Sequence, residues 1–177
     1  RLRRAGTENT PGIVGMGKAV EVVMRDMAEE SARLRRLHER LIGEVLKRFK
    51  NVRLTGHPTE RIPGHASFCF EHIEGESMLL SLDMKGVAAS SGSACTSGSL
   101  EPSHVLLAMG IPHEVAHGSI RITMGRDNSE EDIDYFLEVM EPIVERLRAM
   151  SPLEQEMEFA NGSECAVCKA AASCRVK

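Results

Sequence analysis

"GSIRITMGRDNSEEDIDYFLEVMEPIVERLRA", residues 118–149, changes its hydrophobic period partway along, and that change decides the fold class. In residues 118–125 the apolar side chains alternate. Ile120, Ile122 and Met124 fall on one side, Arg121 and Thr123 on the other, which is the pattern of a half-buried strand. Beyond the turn, Ser129 opens an acidic first turn, and Ile133, Phe136, Leu137, Met140, Ile143, Val144 and Leu147 share one helical face. This predicts an amphipathic helix of about 20 residues, bent at Pro142, where a backbone donor is missing. A strand passing directly to a helix with a matching apolar face is a building block of layered α/β architecture.

The same two periods recur upstream. Val20, Val23, Met24, Met27, Leu34, Leu37, Leu41, Val45 and Phe49 follow intervals of three, four and seven. From Ile13 to Phe49 they predict either one rod of about 50 Å bridging two packed bodies, or two helices bent near Ser31. Pro11 suits the first turn. "NVRLTG" (51–56) and "HASFCFEHI" (65–73) read as strands around the loop "HPTERIPG" (57–64). In the second strand Ala66, Phe68 and Phe70 alternate with Ser67, Cys69 and Glu71, so Cys69 reads as a packed thiol. "ESMLLSLDMKG" (76–86) is a helix ended by Gly86, "VAAS" (87–90) a brief strand, and "EPSHVLLAMG" (101–110) a short helix capped by Ser103 and stopped by Gly110. The expected order is helix, two strands, helix, strand, helix, strand, helix, with no internal repeat. After Leu153 the pattern decays into a polar tail.

Composition limits the function classes. Of the 177 residues 42% are hydrophobic and 27% charged, as in ordinary globular proteins, while aromatics at 3% without Trp leave an aliphatic, Met-rich core. A formal charge of −4 argues against a nucleic-acid binder. No apolar run approaches the roughly 20 residues of a membrane span, and no signal-peptide pattern opens the chain. Five widely separated cysteines favour a reduced, cytoplasmic setting over a disulfide framework.

"SSGSACTSGS" (90–99) holds Cys95 in a run of hydroxyls, with Gly92 and Gly98 on either side. The stretch is too polar to pack a structural thiol, so Cys95 reads as a nucleophile, a redox sensor or a surface residue. Arg121 points away from the aliphatic face of its strand; its readings are carboxylate recognition or an exposed ion pair. Thr7, in "RRAGTEN" (3–9), precedes a helix start, where it is either a cap or an anion contact. Cys165, Cys168 and Cys174 suggest zinc or iron–sulfur ligation, but three thiols without a nearby histidine leave the set incomplete, and a disordered thiol-bearing tail is the other reading. His57, His65, His72, His113 and His117 read as surface or structural; of them His117 is placed to line a site.

In order along residues 1–153, "RRAGTENTPGIVG", "RIPGHASF", "GESMLLSLDMKG", "SSGSACTSGSLEPSHVLLAMG" and "SIRITMGRDNSEEDIDYFL" resemble the cysteine desulfurases of the nitrogen-fixation and iron–sulfur-assembly type, the long-cysteine-loop group of the class V aminotransferases. The cysteine stretch with its trailing "GSLEPSHVL" is the most specific part. The resemblance implies the C-terminal portion of a fold-type-I pyridoxal-phosphate transferase. Residues 1–30 would be the end of the large domain and the start of the linking helix. Residues 31–153 would be the rest of that helix and a small α/β domain with a mobile cysteine loop at 90–101, and 154–177 a polar cysteine-bearing tail. It also implies that Cys95 takes sulfur from L-cysteine as a persulfide, releasing alanine, and passes it to an iron–sulfur scaffold or other acceptor protein. Arg121 would grip the substrate carboxylate, and Thr7 would reach the cofactor phosphate of the neighbouring subunit in a homodimer. No resident metal is implied. The family's Schiff-base lysine follows a histidine upstream of "GTEN"; here Lys18, Lys47, Lys50, Lys85, Lys169 and Lys177 do not follow histidines. The lysine is therefore expected in a missing N-terminal half. The alternative is a non-enzymatic persulfide carrier or scaffold-binding module, with Cys95 a transient iron–sulfur ligand.

Overall fold

Thr10–Arg48 forms one uninterrupted helix of 39 residues, α1, in the computed structural model, which describes residues 6–91 and 101–151. At ~1.5 Å per residue it is about 58 Å long. Asn9, not Thr7, caps it: the Asn9 side chain accepts the Gly12 N–H at 3.1 Å, and Pro11 sits in the first turn. Lys47 and Arg48 stand at the C-terminal end, where the helix dipole favours cations. No break occurs at Ser31, so the single rod holds. Its second half is buried through Leu37, Leu41 and Val45, but Ile13, Met16, Val20, Val23, Met24 and Met27 in the first half are exposed.

Three antiparallel strands follow in the order β1 (Val52–Leu54), β2 (His65–Phe70), β3 (Ser119–Thr123). The register sets Phe68 between Leu54 and Ile120, and Ser67 opposite Arg121. On the first face Ala66, Phe68, Phe70 and Ile120 are buried beneath α1, α2 (Gly75–Asp83) and α5 (Glu130–Ala149). Phe49 meets Phe70 edge to face at 5.7 Å. The second face is covered in part by α3 (His104–Ala108) and α4 (His113–His117); Leu106, Ala116 and, between the two helices, Ile111 enclose Cys69. α5 opens with the expected capping box, Ser129 N–H to Asp132 at 2.9 Å and Asp132 N–H to the Ser129 hydroxyl at 3.4 Å. It continues through Pro142 as one helix.

Three local expectations change. α4 is an additional helix, and five residues starting after Pro112 are too few to show a period. "VAAS" forms no strand; only Ser90 pairs, as an isolated bridge to Arg121. Ser103 does precede α3, but its hydroxyl makes no capping hydrogen bond. Between α4 and β3, Gly118 is required for space: a Cβ there would lie 1.9 Å from the Phe70 carbonyl oxygen, and the Gly118 carbonyl accepts the Phe70 N–H at 2.9 Å.

Arg33 joins the rod to the turn that leaves β3. Its guanidinium donates to the carbonyls of Asn128 (2.6 Å), Gly125 (2.9 Å) and Arg126 (2.9 Å), while Glu30 accepts from it at 2.6 Å. Arg33→Ala is expected to destabilise the fold by about 2 kcal/mol, with Arg33→Lys recovering only part, because a compact ammonium with three donors cannot serve three carbonyls and the Glu30 carboxylate together. Urea denaturation midpoints check this; equal stability of Arg33→Ala and the parent overturns it.

His38 on α1 is 5% exposed, and its Nε2 has no hydrogen-bond partner among the described residues. Burial first, then Arg61, with His65 and Arg35, push its pKa below the usual value, and Glu39 opposes them. The folded ring stays neutral where the unfolded ring would charge, so its contribution is complete above about pH 6.5 and is lost as pH falls from there towards the folded pKa. His38→Leu is expected to lose less thermal stability than the parent between about pH 7 and pH 5; parallel curves would remove His38 as the cause.

Candidate functional site

Strand alternation divides the second face of the sheet into two parts. Cys69 and Ser119, paired in register, lie under α3 and α4 and are buried. Two residues along β2 and β3, Ser67 and Arg121 pair in register, and Thr55, just after β1, joins them as a polar row. The Thr55 hydroxyl donates to Ser67 Oγ at 2.7 Å, and the Thr55 N–H to the Ser67 carbonyl at 2.9 Å. Arg61 holds the β1–β2 loop against this row, donating to the carbonyls of His57 (2.7 Å) and Thr55.

Arg121, half-buried, stands opposite Ser67 on one side and pairs through its backbone with Ser90 on the other. The Arg121 N–H donates to the Ser90 carbonyl at 2.6 Å, and the Ser90 N–H to the Arg121 carbonyl at 3.1 Å. Ser90 is the first residue of the Ser/Gly stretch, so the chain departs toward Cys95 from the backbone of Arg121 itself. It returns at Glu101, ahead of Ser103, which is buried at the foot of α3. Cys95, Cys165, Cys168 and Cys174 lie outside the described residues.

The other candidates separate from this row. Thr7 is exposed and does not cap α1. About 24 Å of helix rise separates Thr10 from Asp26, and Asp26 is where α1 meets Arg126 of the β3–α5 turn, at 2.8 Å. Thr7 and Arg121 therefore share no pocket in this chain. Cys69 is a structural thiol, as expected: burial pushes its pKa up to about 11, Arg53 only partly offsetting this, and the protonated thiol has no access to solvent. His57 caps its own loop, Nδ1 accepting the Glu60 N–H at 2.8 Å.

Thr55, Ser67 and Arg61 were not singled out from the sequence as site residues. The alternation in "HASF" did place Ser67 off the apolar face, but its alignment with Thr55 and Arg121 depends on strand register. Among the described residues no group of three or more His, Cys, Asp or Glu is assembled to hold a metal. No described helix is long and apolar enough to cross a membrane. The described lysines, Lys18 and Lys47 on α1, Lys50 just after it and Lys85 beyond α2, are all exposed, and none belongs to the strands of the polar row. This donor set does not fit a covalently held aldehyde cofactor.

Comparison with known proteins places this geometry in a family. The family Aminotransferase class-V matches residues 1–136. "Cysteine desulfurase IscS" of Methanosarcina thermophila is 55% identical over 153 residues, covering 86% of this chain and 38% of the relative. "Cysteine desulfurase IscS 1" of Archaeoglobus fulgidus is 53% identical over 150 residues, covering 85% and 39%. The chain thus spans about two fifths of the length of the curated relatives it matches. Among solved structures, a NifS-like protein from Rickettsia africae ESF-5 superposes with a TM-score of 0.71 at 30% identity, over 80% of this chain and 36% of that one. The expected mixed α/β class and the kinship with desulfurases of the IscS and NifS type both hold. The chain belongs to the class-V aminotransferase family.

Proposed function

We propose that this chain is the substrate-gripping and sulfur-carrying part of a pyridoxal-phosphate-dependent cysteine desulfurase. One observation carries the reading: the reciprocal hydrogen bonds between Ser90 and Arg121 root the Cys95 stretch on the strand that holds the carboxylate-binding arginine. The names of the relatives agree with it.

Arg121 presents a planar fork of donors matched to the α-carboxylate of L-cysteine. The Thr55–Ser67 hydroxyl pair lies on the same face, supporting the strand beneath it. The thiolate of Cys95 attacks the sulfur of the bound L-cysteine. A new S–S bond forms, the C–S bond of the substrate breaks, and a proton replaces sulfur on the departing carbon. The products are a Cys95 persulfide and L-alanine, and an iron–sulfur scaffold or another acceptor protein then takes the terminal sulfur. Pyridoxal phosphate, which the described lysines of this chain do not fit, would supply the electron sink for the substrate when held by residues elsewhere. The lysine that holds it is assigned to the portion of the relatives' length that this chain does not span. A reducing compartment keeps a nucleophilic thiol such as Cys95 free of disulfide, and the cytoplasm is the proposed setting.

Residues 1–30 are assigned to the end of a large domain and the start of the linking helix, 31–153 to the rest of that helix and the small domain, and 154–177 to a tail. The exposed apolar row from Ile13 to Met27 supports this division, because so much uncovered apolar surface on one helix calls for a second body against it. Thr7, remote from Arg121, is assigned to the cofactor phosphate of a neighbouring subunit in a homodimer. A second reading, a persulfide carrier or scaffold-binding module with Cys95 as a transient iron–sulfur ligand, is favoured by the lack of a fitting lysine among the described residues. Turnover of L-cysteine by the complete protein separates the two.

In the complete enzyme, Cys95→Ser is expected to abolish persulfide labelling and to lower turnover at least about 100-fold with cofactor absorbance unchanged; persulfide still delivered to an acceptor overturns the role. Arg121→Ala is expected to raise KM for L-cysteine about 100-fold, and Arg121→Lys to recover about tenfold of that. An unchanged KM in Arg121→Ala would remove Arg121 from the carboxylate.

A further inference from the structure

α4 reads His113-Glu114-Val115-Ala116-His117, two imidazoles four residues apart on one face of a helical turn. Their ring centroids are 4.6 Å apart with the planes at 69°. Two imidazoles sharing one tetrahedral ion, each nitrogen about 2.0–2.1 Å from it, have centroids about 5 Å apart. The observed pair is within a few tenths of an ångström of that spacing. Glu101 brings a carboxylate to the same place, Oε2 lying 3.7 Å from His113 Nε2. Two ligand atoms on one such ion stand about 3.4 Å apart, so a small rotation of either side chain closes the difference.

The support beneath the pair is rigid. Ala116 is fully buried and Ile111 nearly so, both in the cluster around Cys69, which fixes α4 against the sheet while His113 stays exposed and His117 half-buried. No three-donor group is assembled among the described residues, so the third ligand has to move in. The pattern H-E-x-x-H also spaces the two histidines of zinc proteases; only that ligand spacing is carried over, not proteolysis.

We propose that His113 and His117 chelate a divalent cation of the Zn²⁺ class, with the Glu101 carboxylate as third ligand and water as fourth. Imidazole with carboxylate suits zinc and its neighbours in the first transition row, not magnesium or calcium. The bound ion ties Glu101, where the chain returns from the Cys95 stretch, to the helix that leads into the Arg121 strand. It is distinct from any thiol site in the tail.

The test is isothermal titration of the 177-residue chain with Zn²⁺ after accessible thiols have been alkylated. One equivalent is expected to bind. His113→Gln and His117→Gln are each expected to weaken binding at least about tenfold, and Glu101→Gln a few-fold, while His104→Gln, outside the trio, leaves it unchanged. Circular dichroism verifies that the variants stay folded. Co²⁺ provides a second readout, its visible bands appearing without sulfur-to-cobalt charge transfer. Failure of the alkylated parent to bind one equivalent, or unchanged affinity in either histidine variant, overturns the site. Loss in both histidine variants with unchanged affinity in Glu101→Gln overturns the third ligand and leaves Glu101 as a simple ion-pair partner of His113.

Discussion

Burial of β2 on both faces is the constraint on which the other elements depend. A six-residue strand with Ala66, Phe68 and Phe70 on one side and Cys69 on the other cannot be satisfied by one layer of helices. The long helices α1 and α5 cover the first side, and the short pair α3–α4 covers one end of the second. The cover stops after one pair of residues, and beyond it the strands carry hydroxyls and an arginine instead of apolar groups. The open polar row and the closed apolar patch are thus two parts of one surface, and the limit of α3–α4 decides where chemistry is available. Cys69 is sealed and its thiol is held protonated by burial, whereas Cys95 belongs to a hydroxyl-rich stretch whose one other apolar residue is Ala94.

The sheet is positioned by a few polar clamps at its margins. Arg33 gathers three carbonyls of the β3–α5 turn, Arg126 reaches Asp26, and Tyr135 on α5 donates to the Lys85 carbonyl at 2.8 Å after α2. Asp26, between Arg25 and Arg126, is held at about pKa 2 by those hydrogen bonds, so this contact keeps its charge over the whole working range. Such exposed pairs add little stability singly, but they fix the angle at which β3 leaves the rod. Gly118 acts at the other end of the strand, where only a residue without a side chain passes the Phe70 carbonyl.

The sequence was most legible where one period ran long enough to be counted. β3 and α5 appear as expected because alternation and then a 3.6-residue repeat cover 30 residues with a capping box between them, and α1 because its stripe never breaks. The failures are short or tertiary. Five residues of α4 cannot show a helical stripe, and "VAAS" has the composition of a strand but only one residue within reach of an open edge. Thr7 and Asn9 are both cap-forming residue types, and the helix start at Thr10 leaves Asn9 in the capping position. The polar row was half legible: alternation set Arg121 off the aliphatic face of its strand but left its role open until the family resemblance, whereas Thr55, Ser67 and Arg61 became visible only when strand register put them side by side.

The anchoring of Ser90 on Arg121 also sets a length. Cys95 is four residues beyond Ser91, and a chain of that length extends at most about 14 Å. From the return side Glu101 allows six residues, about 21 Å. Chain length alone therefore bounds the reach of the Cys95 sulfur to a distance small compared with the length of α1, about 58 Å. On the proposed function, an acceptor of the sulfur would have to place its receiving group inside that reach, close to the Arg121 strand. The covalent reach of the nine residues between Ser91 and Glu101, more than the affinity of any one contact, would then limit which surfaces can take part in the exchange.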